Sequence, residues 1–172
     1  ASIWDMALGS IAGVYSGPGG VEGVLAAGSI GEGCAVLIVL AAAYLLATRT
    51  ANWRLMLSGL AGVVGANLLF RNLLGFDGVG EVPALQWQLL AGTTLYAMVF
   101  MVTDPVSAPR HKPAQFAYGL LIGTLLVVLR WRGIFVAAAT FSILLGNLVG
   151  PLLDLAAEAW AQRAKARAPA AG

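Results

Sequence analysis

The chain has 172 residues, 59% of them apolar and only 10% charged, with a formal net charge of +2. Its mean hydropathy is +0.84. A soluble domain carries about 25% charged residues, so the composition excludes an ordinary soluble enzyme and predicts a membrane protein.

Residues 1–32 read as an outer-face segment ending in a glycine-rich loop, "GSIGE" at 28–32. No basic stretch with an A-x-A site is visible there, so no signal peptide is predicted. Ser29 and Glu32 fit the S-x-x-E capping box that opens a helix. A carboxylate is also favoured at the positive end of a helix dipole. The same stretch admits a second reading. Gly28, Gly31 and Gly33 allow an irregular backbone with free N–H groups. At membrane depth such a loop must line a cavity or be buried in protein, and N–H groups at a helix start suit a phosphate.

Five apolar segments follow: residues 33–48, 55–70 (extendable to 74), 83–102, 113–129 and 133–153. A spanning helix needs about 20 such residues, with about 17 as the lower end. The lone cysteine, Cys34, excludes an internal disulfide or a cysteine-rich metal site and reads as a packed thiol. The connections are short, so neighbouring helices should be antiparallel. The predicted fold is all-α, a polytopic membrane protein with five transmembrane helices over residues 33–155. Residues 156–172 read as a helix end fraying into a basic tail, an anchor to anionic lipid. Small residues recur four apart at Ser58/Gly62, Gly119/Gly123 and Gly146/Gly150, a spacing that lets helix backbones approach in lipid.

Lysine and arginine placement sets orientation. Arg49 and Arg54, Arg110 and Lys112, and Arg163, Lys165 and Arg167 all fall on one side of a five-helix zigzag. That side, with the C-terminus, is therefore predicted to be cytoplasmic. "GFDGVGEV" at 75–82 falls outside, and so do Arg130 and Arg132, which run against the rule. Arg49, Arg54, Arg110 and Lys112 are expected to meet phospholipid head groups.

Three acids stand at or within apolar segments: Glu32, Asp104 and Asp154. A carboxylate at membrane depth costs at least about 2.5 kcal/mol and is a functional hypothesis by default. Asp104 sits in "TDP", and proline disfavours helix in the residue before it. One reading is a turn cap. The other notes that an acid at a helix C-terminus opposes the dipole, so that a cation, Arg110 or a proton must compensate. Asp154 and Asn147 are seven apart and share a helix face, with Gly150 and Pro151 between them weakening the helix. Carbonyls, an amide and a carboxylate are hard oxygen ligands of the kind a small cation or a proton path requires; alternatively Asp154 marks the membrane boundary. The one histidine, His111, lies among basic residues, so no histidine-based metal site or triad is expected. No glycine-rich nucleotide motif is present.

"GSIGE" (28–32), "NWRLMLSGLAG" (52–62), "FMVTDPVSA" (100–108), "YGLLIGTLLVVLR" (118–130) and "LLGNLVGPLLD" (144–154) occur in this order. Together they resemble the C-terminal half of the Nqr B and Rnf D subunit family, over about residues 20–167. Nqr is a sodium-translocating NADH:quinone oxidoreductase. The resemblance implies one half of a ten-helix inverted-repeat fold and a flavin-carrying membrane subunit of a multi-subunit complex. In such a complex electron flow is coupled to movement of Na⁺ or H⁺ across a bacterial inner membrane. It places Asp104 and Asp154 on an ion path, to which the residue reading adds Glu32 and Asn147. The family attaches FMN covalently to the threonine of an S-G-A-T motif, and residues 1–27 contain no threonine. Any FMN or riboflavin here is therefore expected to be non-covalent, with Gly28, Ser29 and Gly31 as candidate contacts. Two other classes fit the residues: a cofactor-free structural subunit, and a small-solute channel or transporter.

Overall fold

The structure is a computed structural model that describes residues 7–8, 14–16, 22–24, 34–73, 82, 84–90, 93–132 and 137–167. Two three-residue strands, β1 (Val14–Ser16) and β2 (Glu22–Val24), form an antiparallel ladder that pairs Tyr15 with Gly23. The other described elements are helical. α1 is Ala35–Ala47, and α2 is Trp53–Leu68, continued by a π turn at Leu69–Leu73. α3 is Leu85–Leu90, and α4 is Thr94–Tyr96, continued by a second π turn at Ala97–Met101. α5 is Lys112–Arg132 and α6 is Ala138–Arg167.

Among the described residues, three helices are long and apolar enough to cross a membrane: Trp53–Arg71, Lys112–Trp131 and Ala138–Arg163. The other two expected spans differ. The first gives the 13-residue α1, which begins after Cys34 and is shorter than a span requires. The third, expected as one helix over 83–102, is divided into α3 and α4. Its sequence at the division is Gly92-Thr93-Thr94, a glycine followed by two β-branched residues. All three are weak helix formers, glycine by about 1 kcal/mol relative to alanine. The second half of this segment ends in a π turn closed by Val102 N–H on Ala97 C=O at 2.9 Å. Such turns concentrate at functional sites, and this one leads directly into Thr103 and Asp104.

α6 runs on to Arg167, past Ala156, where fraying was expected. Residues 156–167 are alanine, glutamate, glutamine, lysine and arginine apart from one tryptophan, and good helix formers extend the helix into water.

α1 ends in a Schellman motif. Arg49 N–H donates to Leu46 C=O and Thr50 N–H to Leu45 C=O, both at 3.1 Å. Arg49 takes the left-handed position at φ 54°. Glycine usually fills this position, and a side chain there costs about 1 kcal/mol.

α5 is the centre of the packing. Gly119 lies against Ser58 and Gly59, and Gly123 against Gly62 and Val63, so α2 and α5 run parallel. α6 runs antiparallel to α5, since Tyr118 meets Asn147 and His111 meets Asp154. These are the directions expected of the second, fourth and fifth segments of a zigzag. They bring Arg54, Lys112 and the C-terminal end of α6 to one end of the bundle. The core gathers Leu55 and Val63, Met98, Tyr118, Ile122 and Leu126, and Ile143. The outer faces of α1 and α6 are leucine-rich and bare, with Leu37 65% and Leu148 72% exposed. Apolar surface this extensive marks a face that meets a membrane or another protein.

Candidate functional site

The site lies where residues 102–111 pass from α4 to α5 beside the second half of α6. Thr103 Oγ1 donates to Val99 C=O at 2.7 Å, closing the helical segment. Pro105 then forces the chain out of helix. Asp104 Oδ1 accepts from Val106 N–H and Oδ2 from the Ser107 hydroxyl, both at 3.1 Å. The donors that compensate Asp104 therefore come from its own loop. Of the three partners left open by the sequence, a cation, Arg110 or a proton, Arg110 gives its backbone N–H to another carboxylate.

That backbone goes to Asp154. Both carboxylate oxygens of Asp154 accept from Arg110 N–H, at 3.1 and 3.0 Å, and Oδ1 also accepts from His111 N–H at 3.0 Å. The first N–H groups of a helix have no partner within it. Here a side chain of α6, 44 residues away in sequence, holds the two amides that lead into α5. A carboxylate at that end is favoured by the dipole as well. The His111 ring lies against the same carboxylate, Nδ1 to Oδ1 at 3.3 Å, with Glu158 Oε1 3.9 Å from its Nε2. Asp154 and Glu158 are one turn apart on α6 and face His111 together.

Two turns before Asp154, Asn147 Oδ1 accepts from the Tyr118 hydroxyl. Tyr118 is seven residues after His111, as Asn147 is seven before Asp154. The two pairs are thus one repeat of the antiparallel α5–α6 contact. Gly146 and Gly150 leave space for the Tyr118 ring, and the Ser107 carbonyl lies beside Gly150. Pro151 lies inside α6 and has no N–H, so the Asn147 carbonyl is left without its helical donor. Asn147 and Asp154 thus stand on one α5–α6 contact, and Asp104 lies in the loop that leads into α5. Glu32, Gly28, Ser29 and Gly31 lie outside the described residues.

Sequence reasoning misses Tyr118 and Glu158 and gives His111 no role. The signal is present all the same: polar residues spaced by seven on two consecutive helices expected to be antiparallel must meet in pairs. At the other end of the bundle, Arg130 Nη1 donates to Thr94 Oγ1 at 2.8 Å and to Gln88 C=O at 3.4 Å. Arg71 Nη1 donates to Val82 C=O at 3.0 Å. Of the two arginines that run against the charge rule, Arg130 is thus taken up by the protein itself.

Long apolar helices, bare leucine faces and an oxygen-rich contact between two of the helices define a multi-pass α-helical membrane protein. The sequence profile described as "NQR2, RnfD, RnfE family" matches residues 5–160, and the chain belongs to that family. It is 38% identical over 152 residues to the B subunit of the Na(+)-translocating NADH-quinone reductase of Azotobacter vinelandii, a match covering 79% of this chain and 37% of that protein. It is 36% identical over 128 residues to the corresponding protein of Chromohalobacter salexigens, covering 74% and 31%. The protein of the same name from Klebsiella pneumoniae is 35% identical over 144 residues, covering 81% and 34%. The chain spans about a third of the length of these relatives.

Proposed function

We propose that this chain serves as a membrane subunit of an ion-translocating, flavin-dependent electron-transfer complex of the Nqr/Rnf type. It would work beside other membrane subunits, in a bacterial inner membrane and with its C-terminus in the cytoplasm. The observation that carries this reading is the α5–α6 contact that holds Asn147 and Asp154, with Asp104 in the loop leading into it, in a member of this family. The three residues offer carboxylate, amide and proline-freed carbonyl oxygens, the ligands that Na⁺ takes, and the acids can also carry H⁺. The cargo would compete at Asp154 with the amides of Arg110 and His111, so that loading there is exchange of a cap for a cation. Glu32 would extend the path beyond the described residues.

The cofactor of this reading is FMN or riboflavin, held non-covalently, with Gly28, Ser29 and Gly31 offering backbone N–H groups to an FMN phosphate. Their sequence is the support. A flavin supplies the step between two-electron and one-electron carriers.

Replacing Asp104 or Asp154 by Asn tests the ion path in the assembled complex. Asn keeps the shape and can keep one cap bond, but loses the charge. The expected result is intact assembly with slower, ion-uncoupled turnover. Full turnover with unchanged Na⁺ dependence in both variants would leave Asp104 a turn cap and Asp154 a helix cap. Flavin fluorescence after denaturing electrophoresis tests the attachment. No fluorescent band is expected at this chain's mass, and a band there would mean covalent attachment at another hydroxyl.

A further inference from the structure

The turn between α1 and α2 borders an open cleft of about 620 Å³ lined by Leu46, Arg49, Thr50, Asn52, Trp53 and Arg54. Four features of it point the same way. Arg49 occupies the left-handed C′ position of α1, where glycine would be easier. A side chain held against backbone preference is a reason to look for a role. Arg54 is placed by Trp53, its guanidinium carbon 5.4 Å from the centroid of the indole. Trp53 in turn stands edge-on to Phe116 at 6.5 Å and is half exposed. Among the described residues, neither guanidinium has a carboxylate partner.

The start of α2 is already capped, since Asn52 Oδ1 accepts from Arg54 N–H at 3.1 Å. Recognition in the cleft therefore falls to side chains. Two planar guanidinium groups match phosphate oxygens in pairs. An exposed tryptophan at the end of a spanning helix marks the membrane–water boundary. Below the cleft α1 exposes Tyr44 and Leu40, an apolar face along which acyl chains can lie.

We propose that the α1–α2 cleft binds the phosphodiester head group of an anionic phospholipid, with Arg49 and Arg54 on the phosphate and Trp53 at the level of the glycerol. The site is distinct from the carboxylate contact between α5 and α6, and it stands whether or not that contact conducts ions.

The test uses the full chain in phosphatidylcholine nanodiscs containing a few per cent of lipid brominated on its acyl chains. That lipid is either phosphatidylglycerol or phosphatidylcholine. Bromine quenches tryptophan at contact, and subtracting the Trp53→Phe signal isolates Trp53. Brominated phosphatidylglycerol is expected to quench Trp53 more strongly than brominated phosphatidylcholine. Arg49→Gly and Arg54→Gln should each cut that preference about fivefold. Arg49→Gly suits the left-handed backbone, so its melting temperature should hold or rise while its lipid preference falls. Equal quenching by the two lipids would overturn the proposal. So would an equal loss in Lys112→Gln, which would assign the attraction to the basic surface as a whole. Displacement of phosphatidylglycerol by millimolar inorganic phosphate would show a site for the soluble ion and overturn the lipid assignment.

Discussion

α5 meets its two neighbours by different means. Against α2 the contact is backbone on backbone. A Cβ added at Gly62 would stand 2.6 Å from Leu120 C=O, and one at Gly123 would stand 2.7 Å from Val63 N. Against α6 the contact is made by side chains: the Tyr118 ring and Ile122 over Gly146, Tyr118 to Asn147, and His111 with the Arg110 and His111 amides on Asp154. In lipid, where apolar attraction between helices is absent, the first kind of contact holds by dispersion over many close atoms. Its side-chain hydrogen bond, from Ser58 Oγ to the Gln115 carbonyl at 3.4 Å, is a long one. The second kind is built of hydrogen bonds, worth about 1 kcal/mol between neutral groups and about 1.5–3 kcal/mol at the Asp154 carboxylate. α2 and α5 thus meet through closely packed backbone, and α5 and α6 through hydrogen-bonded side chains.

The largest effect is expected where the α2–α5 contact is broken. Gly123→Leu puts a branched side chain into backbone that has nowhere to go. Overpacking of a well-filled site costs about 3 kcal/mol at the upper end of the usual range. Thermal unfolding in detergent should show the loss, and the variant should recover poorly as a monodisperse protein. A stable Gly123→Leu would mean that α2 and α5 are not held this closely.

Asp154→Ala comes next. It removes a cap from α5, which costs about 1–2 kcal/mol, and Asp154→Asn should cost less because one acceptor survives. Hydrogen exchange offers a local readout. The amides of Arg110 and His111 should exchange faster in Asp154→Ala while those of residues 119–127 stay protected. Uniform loss of protection would show that the cap holds the whole bundle and not one contact. Tyr118→Phe is milder again. It keeps the ring between Gly146 and Gly150 and removes only the hydroxyl on Asn147, for a cost of about 1 kcal/mol.

How much of this was legible in the sequence follows from the range of the forces involved. The apolar runs are local, and they located α2 and α5 within a few residues, whereas α6 ends at Arg167, well beyond its apolar run. The four-residue spacing of Ser58/Gly62 and Gly119/Gly123 is also local, and those residues form the closest contact in the fold. The acid in "TDP" carries its own turn chemistry, which is the geometry found at Asp104. Asp154 is another matter. Its capping partners come from a different helix, and nothing near it in the chain names Arg110 or His111. Nor does a sequence announce an arginine in the left-handed position, because the usual sign of that conformation is glycine. The division of the third apolar segment was visible as Gly92-Thr93-Thr94 only to a reader who let weak helix formers outweigh hydropathy.

The smallest effect sharpens the comparison most. Gly146 and Gly150 look alike in sequence, four apart on one face of α6. In the structure they differ. A Cβ at Gly146 would come 2.5 Å from Ile122 Cγ1 and 2.7 Å from its Cδ1, so that the whole Ile122 side chain must shift, whereas one at Gly150 would rest 3.6 Å from Ser107 C=O and from Tyr118 Cε2. The distance at Gly150 is ordinary contact. Alanine is also favoured over glycine within a helix by about 1 kcal/mol. Gly150→Ala should therefore be neutral or stabilise by up to about 1 kcal/mol, and Gly146→Ala should be worse as Ile122 gives way. Thermal unfolding of the two variants decides this. If Gly150→Ala lost as much as Gly123→Leu, α6 would be as tightly built in as α2, and the distinction between the two contacts would fall. If it is stable but turns over more slowly in the complex, stiffening the helix beside Pro151 impairs function without disturbing the fold. That outcome would place the working motion at the α5–α6 contact.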